Sequence, residues 1–141
     1  MFDEYTFVFD IDGTICPIKK KEEKYEDLIP YPQMVEKIRE YKNAGARIIL
    51  YTSRNMNSYA GNIGKINAHT APVLLEWLKK WDIPYDEIVY GKVWPGHKGF
   101  YVDDRTVTPR DFLNCSTEEL DQICRQGRME APSSPDERGN A

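Results

Sequence analysis

The chain has 141 residues, enough for one domain built on a single hydrophobic core. Hydrophobic residues make up 40% and charged residues 30%, and a formal charge of −4 argues against a broad nucleic-acid-binding face. No apolar run approaches membrane-spanning length, no basic-then-apolar leader is present, and Cys16, Cys115 and Cys124 lack disulfide or zinc spacing, so a cytoplasmic protein with no membrane partner is expected.

The first informative stretch is Phe7-Val8-Phe9-Asp10-Ile11-Asp12-Gly13-Thr14. An apolar, β-branched and aromatic run reads as a buried strand, and here it ends in two carboxylates one residue apart. While the chain stays extended, Asp10 and Asp12 point to one side and Ile11 to the other. Gly13 lets the backbone turn close to a ligand, and Thr14 offers a hydroxyl or a cap. Ligands bind at the carboxyl ends of strands in open α/β sheets. Two acids there can hold a hard cation such as Mg²⁺, and one can double as a nucleophile. An acidic Asp-Gly turn with no chemistry is the plain alternative.

Next comes the mixed-charge stretch Lys19–Leu28, a surface loop whose place beside the carboxylates makes it a candidate flap. Pro32 suits the first turn of a helix, Met34, Val35, Ile38, Tyr41 and Ala44 recur at helical spacing, and Gly45 is a stop. Ala46–Tyr51 reads as a second strand running into Thr52-Ser53-Arg54. Strand, helix and strand in this order make a right-handed crossover with parallel strands, so Thr52 emerges at the same sheet edge as Asp10. A hydroxyl beside an arginine suits an anion; a simple helix cap is the alternative.

The polar, glycine-punctuated stretch from Asn55 to Asn67 lacks phosphate-loop spacing and reads as a loop over the site. Leu74, Trp77, Leu78 and Trp81 predict an amphipathic helix from about Ala68 to Trp81, with His69 at its start a structural residue more readily than a ligand. Glu87–Tyr90 predicts a third strand, leading to Lys92. Gly99–Val102 predicts a fourth, ending in Asp103-Asp104-Arg105, the second apolar strand to terminate in paired acids. A short helix start follows at Thr108–Phe112, and Ser116-Thr117-Glu118-Glu119 holds a capping box opening a last helix to about Arg128. The expected domain spans 1–128, with a disordered tail over 129–141 that holds no large apolar residue beyond Met129.

Asp10-Ile11-Asp12-Gly13-Thr14, Thr52 after a strand, a lysine at Lys92 and the strand-end Asp103-Asp104 resemble, in order and placement, the four motifs of the haloacid dehalogenase (HAD) superfamily. More narrowly, Tyr51–Asn57, Gly64–Asn67 and Gly99–Arg105 are similar to the small HAD phosphatases of capsular and surface-polysaccharide gene clusters. The resemblance implies an α/β, Rossmann-like three-layer sandwich with a mostly parallel central sheet. Neither interval between motifs leaves room for a folded cap domain, which suits a large substrate or closure by a neighbouring subunit of a homo-oligomer.

The same resemblance implies the roles. Asp10 is the nucleophile that becomes an aspartyl-phosphate, and Asp12 protonates the leaving alcohol and then activates water. Mg²⁺ is held by Asp10, the backbone carbonyl of Asp12 and Asp103, with Asp104 a ligand through water or an alternative to Asp103. Thr52, Lys92 and Gly13 bind the phosphoryl group. Lys98 competes with Lys92 for the motif lysine, and Ser53, Arg54, Lys98 and Arg105 are candidates for substrate binding.

The expected activity is therefore a Mg²⁺-dependent phosphomonoesterase acting on a phosphorylated small molecule, sugar or sugar conjugate. A polynucleotide 3′-phosphatase is the first alternative, since Asp103-Asp104-Arg105-Thr106 is similar to the phosphatase half of polynucleotide kinase/phosphatases. The acidic charge and missing phosphate loop count against it. A non-catalytic HAD-like binding module is the second.

Overall fold

The computed structural model describes residues 1–133 and shows a mixed α/β fold on a three-stranded parallel sheet. The tail expected over 129–141 lies largely outside these residues. The chain divides after Gly99 into two compact units.

In the first unit, β1 (Thr6–Phe9), β2 (Arg47–Thr52) and β3 (Glu87–Tyr90) lie in the order β1-β2-β3. Phe9 stands opposite Leu50, and Thr52 opposite Tyr90. This register brings the carboxyl ends of all three strands to one edge. Between β1 and β2 runs α1 (Pro32–Asn43), with Pro32 in its first turn, where its missing N–H costs nothing. The predicted stripe holds: Met34, Val35, Ile38 and Tyr41 are buried with Ile48 and Leu50 of β2 and with Ile11 and Ile15 beyond β1. Each such aliphatic side chain contributes about 1.5–3 kcal/mol on burial. Gly45, at φ +103°, takes the left-handed turn that ends the helix segment.

The next stretch differs from expectation. The loop expected up to Asn67 already contains a short helix, α2 (Ile63–Lys65), capped by the Asn62 side chain, and then a π-helical turn, Ile66–Thr70. α3 (Ala71–Lys80) therefore starts later than predicted. The cause is Pro72, which cannot donate the i→i−4 hydrogen bond of a regular helix. Just before it the helix widens, and the Ala71 N–H donates to the Ile66 carbonyl. Leu74, Trp77 and Leu78 are buried as predicted.

The second unit corrects the fourth strand. Gly99–Val102 is not part of the sheet, and Phe100 and Val102 are 86% and 99% exposed. A strand exists only with a neighbour to take its backbone groups, and composition cannot supply one. α4 (Pro109–Asn114) starts at Thr108, whose hydroxyl accepts from the Asp111 N–H. α5 (Thr117–Gln126) opens on the predicted Ser116/Glu119 capping box. Phe112, Leu120 and Cys124 are buried. No helix among the described residues is long and apolar enough to cross a membrane.

Candidate active site

The edge of the first unit's sheet gathers five of the residues singled out in the sequence. Asp10 follows β1 directly. Burial pushes its carboxyl above the usual range; the Lys92 ammonium, 3.4 Å from Oδ1, opposes this, and the Asp12 charge adds to it. The Thr14 hydroxyl donates to Asp10 Oδ2 at 3.4 Å. Between the two acids, Ile11 is fully buried, and its carbonyl accepts from the N–H groups of Thr14, Ile15 and Cys16. Gly13, at φ +88°, closes this tight loop by donating to the Cys16 carbonyl at 2.7 Å. The loop sets Asp12 back toward the end of β2.

There it meets Arg54. Arg54 Nε donates to Asp12 Oδ2 and Nη2 to Oδ1, each at 3.0 Å, a two-pronged pairing by a side chain only 3% exposed. Burial alone would lower the arginine's pKa, but the Asp12 carboxylate outweighs it and holds the guanidinium above its usual value. The Tyr25 ring stacks 4.3 Å from the guanidinium carbon. Sequence reading cast Arg54 as a donor to the substrate; its fork is occupied by Asp12. Thr52, 1% exposed, turns its hydroxyl to accept from the Arg54 N–H at 3.1 Å. Cys16 touches the same network, and burial, with the Asp12 charge behind it, pushes its thiol up to about 12. It is a neutral packing group and no nucleophile.

The end of β3 supplies Lys92, whose N–H donates to the Thr52 carbonyl at 3.1 Å, just after Gly91 at φ +86°. That backbone link sets the ammonium beside Asp10. Lys98 forms no ion pair among the described residues. Ser53 is half-buried, and its carbonyl accepts from Met56.

Asp103, Asp104 and Arg105 belong to the second unit. Asp103 Oδ1 accepts from the N–H groups of Asp104 (2.7 Å) and Arg105 (3.4 Å), which hold its carboxyl below the usual range. Asp104 pairs with Arg128 at 3.5 Å, and Arg105 with Asp121 at 3.0 Å. Among the described residues no group of three or more His, Cys, Asp or Glu side chains is placed to hold a metal ion. Of the expected set, Asp10 and Asp12 lie in the first unit and Asp103 and Asp104 in the second. Asp10 and Asp12 engage cations of their own unit, Asp104 engages one of its own, and the fourth strand meant to deliver the last two is not formed. What suits a hard cation at Asp10 is the donor type: a part-buried carboxylate oxygen close to a second carboxylate.

Two features escaped sequence reasoning. One is the Asp12–Arg54 pair, although an arginine directly behind a buried strand demands a carboxylate. The other is Tyr25, the one aromatic residue in the charged loop, which packs on that arginine.

No protein-family model and no curated protein matches the chain. The chain is 42% identical to a Vibrio cholerae protein of known crystal structure, with a TM-score of 0.81 over 88% of this chain and 99% of that one. A D,D-heptose 1,7-bisphosphate phosphatase from B. bronchiseptica, solved with magnesium and phosphate, matches at 16% identity and a TM-score of 0.44, over 67% of this chain and 53% of that one. The second likeness is too slight to bear on fold or activity.

Proposed function

We propose that this chain, which belongs to one family with the Vibrio cholerae protein, is a HAD-type, Mg²⁺-dependent phosphomonoesterase acting on a phosphorylated sugar or sugar conjugate in surface-polysaccharide synthesis in the cytoplasm. The observation that carries this reading is the convergence of Asp10, Asp12, Thr52 and Lys92 on one sheet edge, with each acid next to its own cation.

Asp10 attacks phosphorus, and the bond from phosphorus to the leaving oxygen breaks. Asp12, entering this step protonated, gives its proton to that oxygen, then takes one from the water that attacks the aspartyl-phosphate, releasing inorganic phosphate and restoring both acids. Arg54 occupies one lone pair on each Asp12 oxygen, so the carboxyl is held in one orientation while further lone pairs remain for the proton. Lys92, the Thr52 hydroxyl and the backbone around Gly13 receive the phosphoryl oxygens. Asp10 and the Asp12 carbonyl, joined by Asp103 or Asp104, would hold Mg²⁺, which when bound offsets the repulsion between anionic substrate and nucleophile.

Phosphate release from a broad phosphoester panel with Mg²⁺, comparing wild type with Asp10→Asn, tests this. Turnover present in the wild type and absent in the variant is the expected result. Equal activity in both, or no release from any ester, overturns it; preference for oligonucleotide 3′-phosphates replaces the sugar assignment.

A further inference from the structure

Two clefts of the first unit differ in kind. One, of about 410 Å³, lies at the amino end of the strands between Lys42, Arg47, Asp86 and Glu87. Its charges pair with each other, Lys42 with Asp86 at 2.6 Å and Arg47 with Glu87, so it offers little to a ligand. The other, of about 310 Å³, has Arg54 in its lining and is walled by the charged loop and the π-helical turn. Its size sits at the small end of ligand pockets, about 300–1,000 Å³.

Three observations mark this second cleft as built for binding. The backbone around it is costly: Asn55 is left-handed at φ +61° on its wall, and Ala60 at φ +49° lies in the same loop. The π-helical turn, a device that recurs at functional sites, contributes His69 and Thr70. The Thr70 hydroxyl donates to Asn55 Oδ1 at 2.6 Å, which orients the amide on the rim. Finally, Arg54 is part of its lining, and Arg54 grips Asp12, so a ligand in the cleft lies one side chain away from the acid assigned to the leaving group.

The lining selects the ligand. Lys19 and Lys24 stand with Glu23 and Glu26, so donors and acceptors of both signs are present, and the carboxylates repel a polyanion. The Tyr25 ring is engaged by Arg54, while Tyr59, its ring 6.1 Å from that of His69, adds a flat apolar face with a polar tip. Mixed hydrogen-bonding groups around aromatic faces suit a polyhydroxylated ring, whose hydroxyls need both donors and acceptors and whose C–H faces stack on tyrosine. We infer that this cleft is the subsite for the sugar ring of the leaving group, with Tyr59 and His69 as specificity-determining residues. This rests on the phosphatase reading for its role, though not for its binding.

Saturation-transfer NMR with a panel of free monosaccharides and methyl glycosides reads the subsite without any turnover. The expected result is transfer to at least one sugar in the wild type and in Tyr59→Phe, and its loss in Tyr59→Ala and His69→Ala. Steady-state kinetics on the best phosphorylated saccharide and on p-nitrophenyl phosphate should show the ratio of their kcat/KM values falling about ten-fold in Tyr59→Ala. No transfer to any sugar, or an unchanged ratio, overturns the assignment. Sugar binding without phosphate release from any ester upholds the subsite and overturns the phosphatase.

Discussion

Arg54 holds both oxygens of Asp12, Nε on Oδ2 and Nη2 on Oδ1, each at 3.0 Å. The pair ties the end of β2 to the loop after β1, so the side chain to which the proposed mechanism gives proton transfer is positioned by the strand next door. Removing the arginine leaves a part-buried carboxylate alone. Because the Asp12 side chain keeps 23% exposure, Arg54→Ala should destabilise at the lower end of about 3–5 kcal/mol, read from urea denaturation. Arg54→Lys restores charge without the planar fork. It should recover part of the stability while kcat stays about a hundred-fold down, the size of a lost acid–base contribution.

The strand-end acids were legible because apolar runs ending in charge are rare and directional. Phe7–Asp12 and Ile48–Thr52 each say where a strand stops and what it delivers, and the crossover rule puts the ends together. Gly99–Val102 carries a similar signal and does not form a strand, because pairing depends on a neighbour's edge that local sequence does not encode. Arg54 was placed at the right edge, but its pairing with Asp12 was not foreseen: the sequence shows a cation near an anion site, and only folding decides which carboxylate reaches it. The π-helical turn was hidden because Pro72 marks a disturbance in the helix without stating how the backbone absorbs it.

Asp10 should weaken the metal-free protein it serves. Its folded pKa lies above the ordinary 3.8, chiefly through burial, so the folded state binds a proton more tightly than the unfolded chain. Stability then falls as pH rises from 3.8 through the folded pKa, and the deficit persists at neutral pH. With chelator present, Asp10→Asn should raise the melting temperature at pH 7 relative to wild type, and the gain should vanish in acid below the ordinary carboxylate pKa. The same variant should be inactive. Loss of stability at pH 7 would show that the Lys92 pairing outweighs burial.

Thr52 is a test of whether a buried hydroxyl serves structure as well as phosphate. Thr52→Val keeps the shape but leaves the Arg54 N–H without its acceptor at 3.1 Å. The expected destabilisation is about 1–3 kcal/mol by chemical denaturation. Inhibition by inorganic phosphate should weaken in parallel, since the same side chain faces the phosphoryl position in the proposed mechanism.

Metal dependence separates the two acids of the second unit. Dialysis against chelator should abolish turnover and Mg²⁺ should restore it. Asp104→Asn, acting through water, should raise the half-saturating Mg²⁺ concentration by about 10–100-fold, and Asp103→Asn by more. Titration of both variants with Mg²⁺ reads the order directly; the reverse order would make Asp104 the inner ligand.

Trp77 links the core to the charged loop. It is 2% exposed, and its Nε1–H donates to the Leu28 carbonyl at 2.7 Å, fastening the carboxyl end of the 19–28 stretch to α3. That stretch carries Tyr25, whose ring covers the Arg54 guanidinium. Trp77→Phe keeps an aromatic ring but removes the donor and leaves the Leu28 carbonyl unmatched, at a cost of about 1–3 kcal/mol. Hydrogen exchange should quicken across 19–28 while amides of β1 and β2 keep their protection. If the loop is a wall of the sugar cleft, saccharide esters should lose more kcat/KM than p-nitrophenyl phosphate in this variant. An equal loss on both would mean that the tryptophan acts only through Arg54 and Asp12, and that the loop's order matters to chemistry alone.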